Sequence, residues 1–149
     1  MYFLDTNTCI YFLNGKFETI KERILSTPPN QIAIPVIVKA ELMLGACKSQ
    51  KKAENIEKIE RFLDPFEIVP FFDLITYIYA GIRNETEKTG DLVGPNDLLI
   101  AAIVKFHDGI LVTNNLKEFN RIDGLKTENW ASPLISLSVF AAKPPDSPG

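Results

Sequence analysis

Tyr2-Phe3-Leu4-Asp5-Thr6-Asn7-Thr8-Cys9-Ile10-Tyr11-Phe12-Leu13-Asn14-Gly15 opens the chain and sets its architecture. An apolar run, Tyr2 to Leu4, ends at the polar residues Asp5, Thr6, Asn7 and Thr8. Cys9, Ile10, Phe12 and Leu13 then recur at helical spacing until Asn14-Gly15 stops them. The pattern predicts a strand, a polar junction and a helix. In open parallel sheets ligands sit beyond the carboxyl ends of strands, which makes Asp5 a candidate site residue. The alternative is that Asp5 only caps the helix that follows it.

The same alternation repeats outward. Phe17, Ile20 and Ile24 mark a helical stripe closed by Thr27-Pro28-Pro29-Asn30, and residues 32–34 read as a second strand. Pro35 suits the first turn of a helix running on through Val36 to Lys48, because its missing N–H costs nothing there. Residues 51–63 form an amphipathic pattern around Ile56, Ile59 and Leu63, and residues 66–69 a third strand. Asp73 is the expected cap of a helix carrying Leu74, Ile78, Gly81 and Ile82, with Gly90 as its stop. Asn96 is the expected N-cap of an almost wholly apolar helix over residues 97–106, followed by a strand at Ile110 to Val112. Strands alternating with helices predict an α/β fold with a mostly parallel sheet, because parallel neighbours need crossover helices.

A chain of 149 residues, 46% hydrophobic and 23% charged, fits one domain with one core. Sixteen Lys and Arg against nineteen Asp and Glu give a net charge of -3, so no global positive field draws in polyanions. Nucleic-acid contact would have to be local. Cys9 and Cys47 lack zinc or disulfide-framework spacing, which points to a reducing cytoplasm. The apolar opening has no basic leader and is interrupted at Asp5, so it reads as neither signal peptide nor membrane span. The last residues, Lys-Pro-Pro-Asp-Ser-Pro-Gly, cannot add much core, and residues 131–149 read as an appendage.

Two further carboxylates stand in unusual places. Glu41 interrupts a stripe of Ile37, Val38, Leu42, Leu44 and Gly45, with no Lys or Arg three or four residues away. It is either a rim residue snorkelling past the stripe or a buried charge in need of an outside cation. Asp97 opens the apolar helix in Gly94-Pro95-Asn96-Asp97, where the helix dipole alone would favour an acid. Thr113-Asn114-Asn115 follows a strand directly and reads as a turn or as part of a site. Acids at such junctions suit oxygen-ligand binding of Mg²⁺ or Mn²⁺. His107 is the single histidine and reads as helix-end packing, which leaves little room for a His-based catalytic set. No GxxxxGK[ST] loop is present, and Gly45 and Gly81 read as close-packing positions.

Tyr2-Phe3-Leu4-Asp5-Thr6-Asn7, Glu41-Leu42 with Gly45-Ala46, Asn96-Asp97 with Ile100-Ala101-Ala102, and Val112-Thr113-Asn114-Asn115 with Phe119 together resemble the PIN-domain ribonucleases of the VapC toxin type. The resemblance runs in order from Met1 to Glu128-Asn129-Trp130. It implies a three-layer α/β/α fold for residues 1–130, with residues 131–149 outside it. It also implies endonucleolytic cleavage of RNA, in a transfer RNA or a ribosomal RNA loop, with Mg²⁺ or Mn²⁺ held by Asp5, Glu41 and Asp97. Asn115 lies near the position of the family's fourth acid and joins the catalytic set as an amide that orients water. Glu118 would reach the site through water. Lys39, Lys48, Lys51 and Lys52 are candidate phosphate contacts.

The resemblance further implies a homodimer restrained by a cognate antitoxin, with Phe71, Phe72, Tyr77 and Tyr79 as candidate interface aromatics. The competing reading is a catalytically weak PIN-fold module that binds RNA or protein, which Asn115 favours. An aspartyl phosphatase would want a second acid two residues after Asp5, where Asn7 stands.

Overall fold

A computed structural model describes residues 1–131, and among these it gathers five short strands into one parallel sheet. The strands are β1 (Tyr2–Leu4), β2 (Ile32–Pro35), β3 (Glu67–Val69), β4 (Ile110–Val112) and β5 (Lys126–Glu128). Helices α1 (Thr6–Asn14) and α2 (Glu18–Ser26), with a 3-10 turn at Pro29–Gln31, join β1 to β2. Helices α3 (Val36–Lys48) and α4 (Lys52–Leu63) join β2 to β3, and α5 (Ile75–Thr89) and α6 (Pro95–Phe106) join β3 to β4. A single turn, α7 (Leu116–Phe119), precedes β5.

The strand order β3-β2-β1-β4-β5 carries the fold's main consequence. From β1 the chain steps one way to β2 and β3, then returns past β1 and steps the other way to β4 and β5. Right-handed crossovers therefore put α1 to α4 on one face and α5 to α7 on the other. That is the expected three-layer α/β/α sandwich. The direction of winding reverses beside β1 and β4, where Leu4 is in register with Val112. A reversal of this kind opens a crevice at the carboxyl ends of the strands.

The core follows the apolar stripes. Phe3, Leu4, Ile32, Ala33, Ile34, Leu111 and Val112 fill the sheet, and Leu98 with residues 100–104 of α6 are all buried against it. Gly109 is required by close approach, because a Cβ there would lie 2.4 Å from the Phe3 ring. His107 closes α6, stacks on Phe3 at 5.8 Å and meets Phe106 edge to face at 5.0 Å, in keeping with helix-end packing. Both cysteines are free, Cys9 buried and Cys47 exposed. No helix among the described residues is long and apolar enough to cross a membrane.

Several local expectations are corrected. α6 starts at Pro95 with Gly94 as its N-cap, because the fixed φ of proline pre-sets the first turn and frees Asn96 for another task. α5 has Leu74 as N-cap without a side-chain cap, and Asp73 contributes its backbone carbonyl to Thr76 instead. Pro35 ends β2 and is the N-cap residue of α3 rather than part of its first turn. Gly45 and Gly81 are not close-packing positions, since a Cβ at either meets nothing within 4 Å. β5, α7 and the 3-10 turn were not expected from the sequence. The expectation about the appendage falls on residues 132–149, outside the described residues, while Trp130 and Ala131 are both buried.

Candidate active site

The site forms where β1 and β4 end side by side. The Asp5 N–H donates to the Val112 carbonyl (3.1 Å), as does the Thr8 hydroxyl (3.2 Å), so the junction after β1 is tied to the end of β4. One Asp5 carboxylate oxygen accepts the Thr8 N–H (2.8 Å), which caps α1. The Thr113 hydroxyl also hydrogen-bonds Asp5. Asp5 is 6% exposed and Thr113 fully buried, and this burial raises the Asp5 pKa despite the donors around it. Capping and site formation are thus the same geometry.

Glu41 projects from α3 into this crevice and is held from two other elements. The Thr6 hydroxyl of α1 donates to its Oε1, and the Asn96 amide of α6 donates to its Oε2 (3.0 Å). Three helices converge on one carboxylate. Neither a Lys nor an Arg pairs with it among the described residues.

Asp97, in the first turn of α6, is half-buried and hydrogen-bonded to Glu118 of α7. Burial, the Glu118 bond and the charges of Glu118, Glu41 and Asp5 push its pKa up to about 7. Glu118 moves the other way, below the ordinary carboxylate range, chiefly through that same bond. At mildly acidic pH the pair therefore holds a proton on Asp97. Glu118 is fixed further by the Gly94 N–H on Oε2 (3.1 Å) and the Asn115 amide on Oε1 (2.8 Å).

The structure therefore brings Asp5, Glu41 and Asp97 together and sets Glu118 beside Asp97. Asn115 stands at the rim, its backbone N–H on Thr113 Oγ1 (2.9 Å) and its side chain on Glu118. Sequence reasoning missed Thr6 and Asn96 as partners of Glu41 and underrated Glu118. Asn96 was masked by its resemblance to a helix cap. Glu118 was detectable as an acid one helical turn past a strand-end Asn. Lys48, Lys51 and Lys52 are exposed and Lys39 half-buried, along α3 and the turn after it. Phe72 and Tyr77 are exposed, at 38% and 73%, whereas Phe71 and Tyr79 pack edge to face on each other.

Four oxygen-donor carboxylates at one crevice, where the charges of Glu118, Glu41 and Asp5 help raise the Asp97 pKa, make a donor set fitted to a hard divalent cation. Among the described residues no three His, Cys, Asp or Glu side chains already close on one point. Mg²⁺ commonly keeps several waters and takes one or two carboxylates directly, so a closed cage is not what this chemistry requires.

The family profile described as the PIN domain matches residues 2–125. Over 131 residues the chain is 44% identical to "Ribonuclease VapC2" of Rickettsia felis, covering 87% of this chain and 98% of that protein. This chain is a PIN-domain protein of the VapC type. It is also 39% identical to the "tRNA(fMet)-specific endonuclease VapC" of Salmonella typhimurium, covering 87% of this chain and 97% of the relative. Among solved structures, the VapBC2 complex of Rickettsia felis, bound to a DNA fragment from its promoter, superimposes with a TM-score of 0.81. That match has 43% identity and covers 87% of this chain and 98% of that one. In this VapC-type chain Asp5 stands between β1 and α1, and Glu41, Asp97 and Glu118 stand on α3, α6 and α7.

Proposed function

We propose that this chain is a metal-dependent endoribonuclease and the toxin of a toxin-antitoxin pair, with Asp5, Glu41, Asp97 and Glu118 holding Mg²⁺ or Mn²⁺. The observation that carries the reading is the convergence of four acids from four elements on the crevice at the β1/β4 switch point, with no basic side chain paired to any of them among the described residues. Clustering carboxylates is costly unless a cation offsets their repulsion. The relatives named as ribonucleases and the VapBC complexes support RNA as substrate and a VapB-like antitoxin as partner.

A bound divalent ion would supply positive charge for the scissile phosphate and an acidified water. The chain's own contribution is positional. Asp5 is locked between α1 and β4, and Glu41 is aimed by Thr6 and Asn96 from opposite sides. Asn115 and the Gly94 N–H orient Glu118 against Asp97. The proton on Asp97 must leave before that carboxylate can hold a cation, so loading with metal and loss of the proton belong together. With a cation in place the local potential becomes attractive to phosphate. RNA of the transfer or ribosomal class, cut within a loop, is the substrate, and the working form is a cytoplasmic homodimer.

The test is cleavage of total RNA by the purified chain with Mg²⁺ or Mn²⁺, with end mapping. Asp5→Asn, Glu41→Gln and Asp97→Asn should each abolish metal-dependent cutting while the fold survives. Three variants that cut at the parent rate would refute the site.

A further inference from the structure

We propose that the groove between α1, α3 and α4, next to Glu41, receives an unstacked base of the RNA, from the nucleotide adjoining the bond that is cut. The inference rests on the endoribonuclease reading and names what lies beside its reacting centre. Leu13 of α1, Leu42 and Gly45 of α3, and Ile59 of α4 line a cavity of about 260 Å³, and Glu41 forms part of the same wall. One residue, Glu41, belongs to both the acid cluster and the groove wall. A phosphodiester held at the acids therefore places a neighbouring nucleotide at the groove's mouth.

The size and chemistry of the groove suit a base. Its volume lies below the roughly 300–1,000 Å³ usual for drug-sized ligands, enough for one heterocycle and too little for a folded element. The aliphatic floor takes the faces of a flat ring. Gly45 keeps that floor open, since a Cβ there meets nothing within 4 Å. At the edge, the Asn55 amide nitrogen is occupied by Ser49 Oγ (2.9 Å), so Asn55 offers its carbonyl oxygen, an acceptor suited to an exocyclic amino group. Lys58 also lines the groove and forms no ion pair among the described residues, which leaves it for a flanking phosphate. Sequence-selective RNA recognition commonly works on bases splayed out of a loop.

Gly45→Leu tests this, because Leu favours the helix more than Gly does and its side chain fills the groove. On RNA that the parent cuts, kcat/KM should fall about tenfold or more, mostly through KM, the scale of a hydrophobic-pocket mismatch. Mn²⁺ binding should match the parent, and the thermal midpoint should equal or exceed it. As a second measurement, stem-loops carrying 2-aminopurine on either side of the mapped cut are bound to the non-cutting Asp97→Asn variant. Fluorescence should rise at one of the two positions, and adding Gly45→Leu should abolish the rise. Parent-like cutting by Gly45→Leu, or the same fluorescence with and without it, overturns the proposal. So does a Gly45→Leu variant that cuts normally but no longer binds its antitoxin, because the groove would then belong to a protein. A parent that cuts no RNA removes the underlying reading instead, a result distinguishable from both.

Discussion

Asp97 is the residue at which stability and chemistry pull in opposite directions. Its ordinary pKa of 3.8 is pushed up to about 7 in the folded chain, so the native state holds a proton that the unfolded chain has released. Metal-free stability should therefore fall as pH rises through this interval. Glu118 has the opposite sign, but because its folded pKa lies below the ordinary 4.5, its effect is confined to lower pH. Asp5, raised from 3.8 by burial, has the same sign as Asp97, so in the window of about pH 4.5 to 7 the share of Asp97 is read as the difference between the parent and a variant that lacks its titration. Asp97→Asn keeps a donor for Glu118 and removes the titration, so its urea midpoint in chelator should be flatter across that window and above the parent's at pH 7. Parallel pH profiles would contradict the assigned proton. Glu41 stood out in the sequence because it interrupts an apolar stripe, whereas Asp5 at a strand end and Asp97 in a first turn each also fitted an ordinary helix-start role and were joined to it by the resemblance. Thr6 and Asn96 were not legible, because their role depends on a partner that folding brings from 35 and 55 residues away.

The edge strand β5 shows how an element can be invisible in sequence and still matter to the fold. Lys126-Thr127-Glu128 has no apolar alternation, yet it pairs in register with Ile110, Leu111 and Val112. Its stability comes from side chains on both sides of it. Arg23 of α2 pairs with Glu128 at 3.2 Å and lies 4.6 Å over the Trp130 ring, and the Trp130 N–H donates to Glu128 (2.9 Å). Trp130 is 2% exposed and meets Tyr2 edge to face. Trp130→Ala should cost about 3–5 kcal/mol, the range for deleting a buried large aromatic. Arg23→Ala should cost about 1 kcal/mol or less through its ion pair, which is partly solvated. Chemical denaturation of both variants checks the ordering, and equal costs would contradict it. α6, by contrast, was legible from its unbroken apolar composition. Only its start was misplaced, because Pro95 and Asn96 both carry helix-start signals and the sequence does not say which prevails.

At the scale of the whole molecule, the order β3-β2-β1-β4-β5 reverses the winding beside β1, and the site exists because of that reversal. The α/β class and parallel sheet could be read from alternating strands and helices. The strand order could not, since local periodicity does not record which strands are neighbours. The fold and the proposed chemistry meet in the four acids, where a divalent cation would relieve the repulsion that the donors around them and the proton between Asp97 and Glu118 leave. Manganese binding, measured by calorimetry at pH 6 in buffers of different ionisation enthalpy, tests this most directly. The parent should bind Mn²⁺ saturably, be competed by Mg²⁺, and release up to about one proton per ion as Asp97 gives up the one it shares with Glu118. Asp97→Asn should bind more weakly and release less. Absence of binding at millimolar Mn²⁺, or the same affinity and proton release in both proteins, would contradict the metal site.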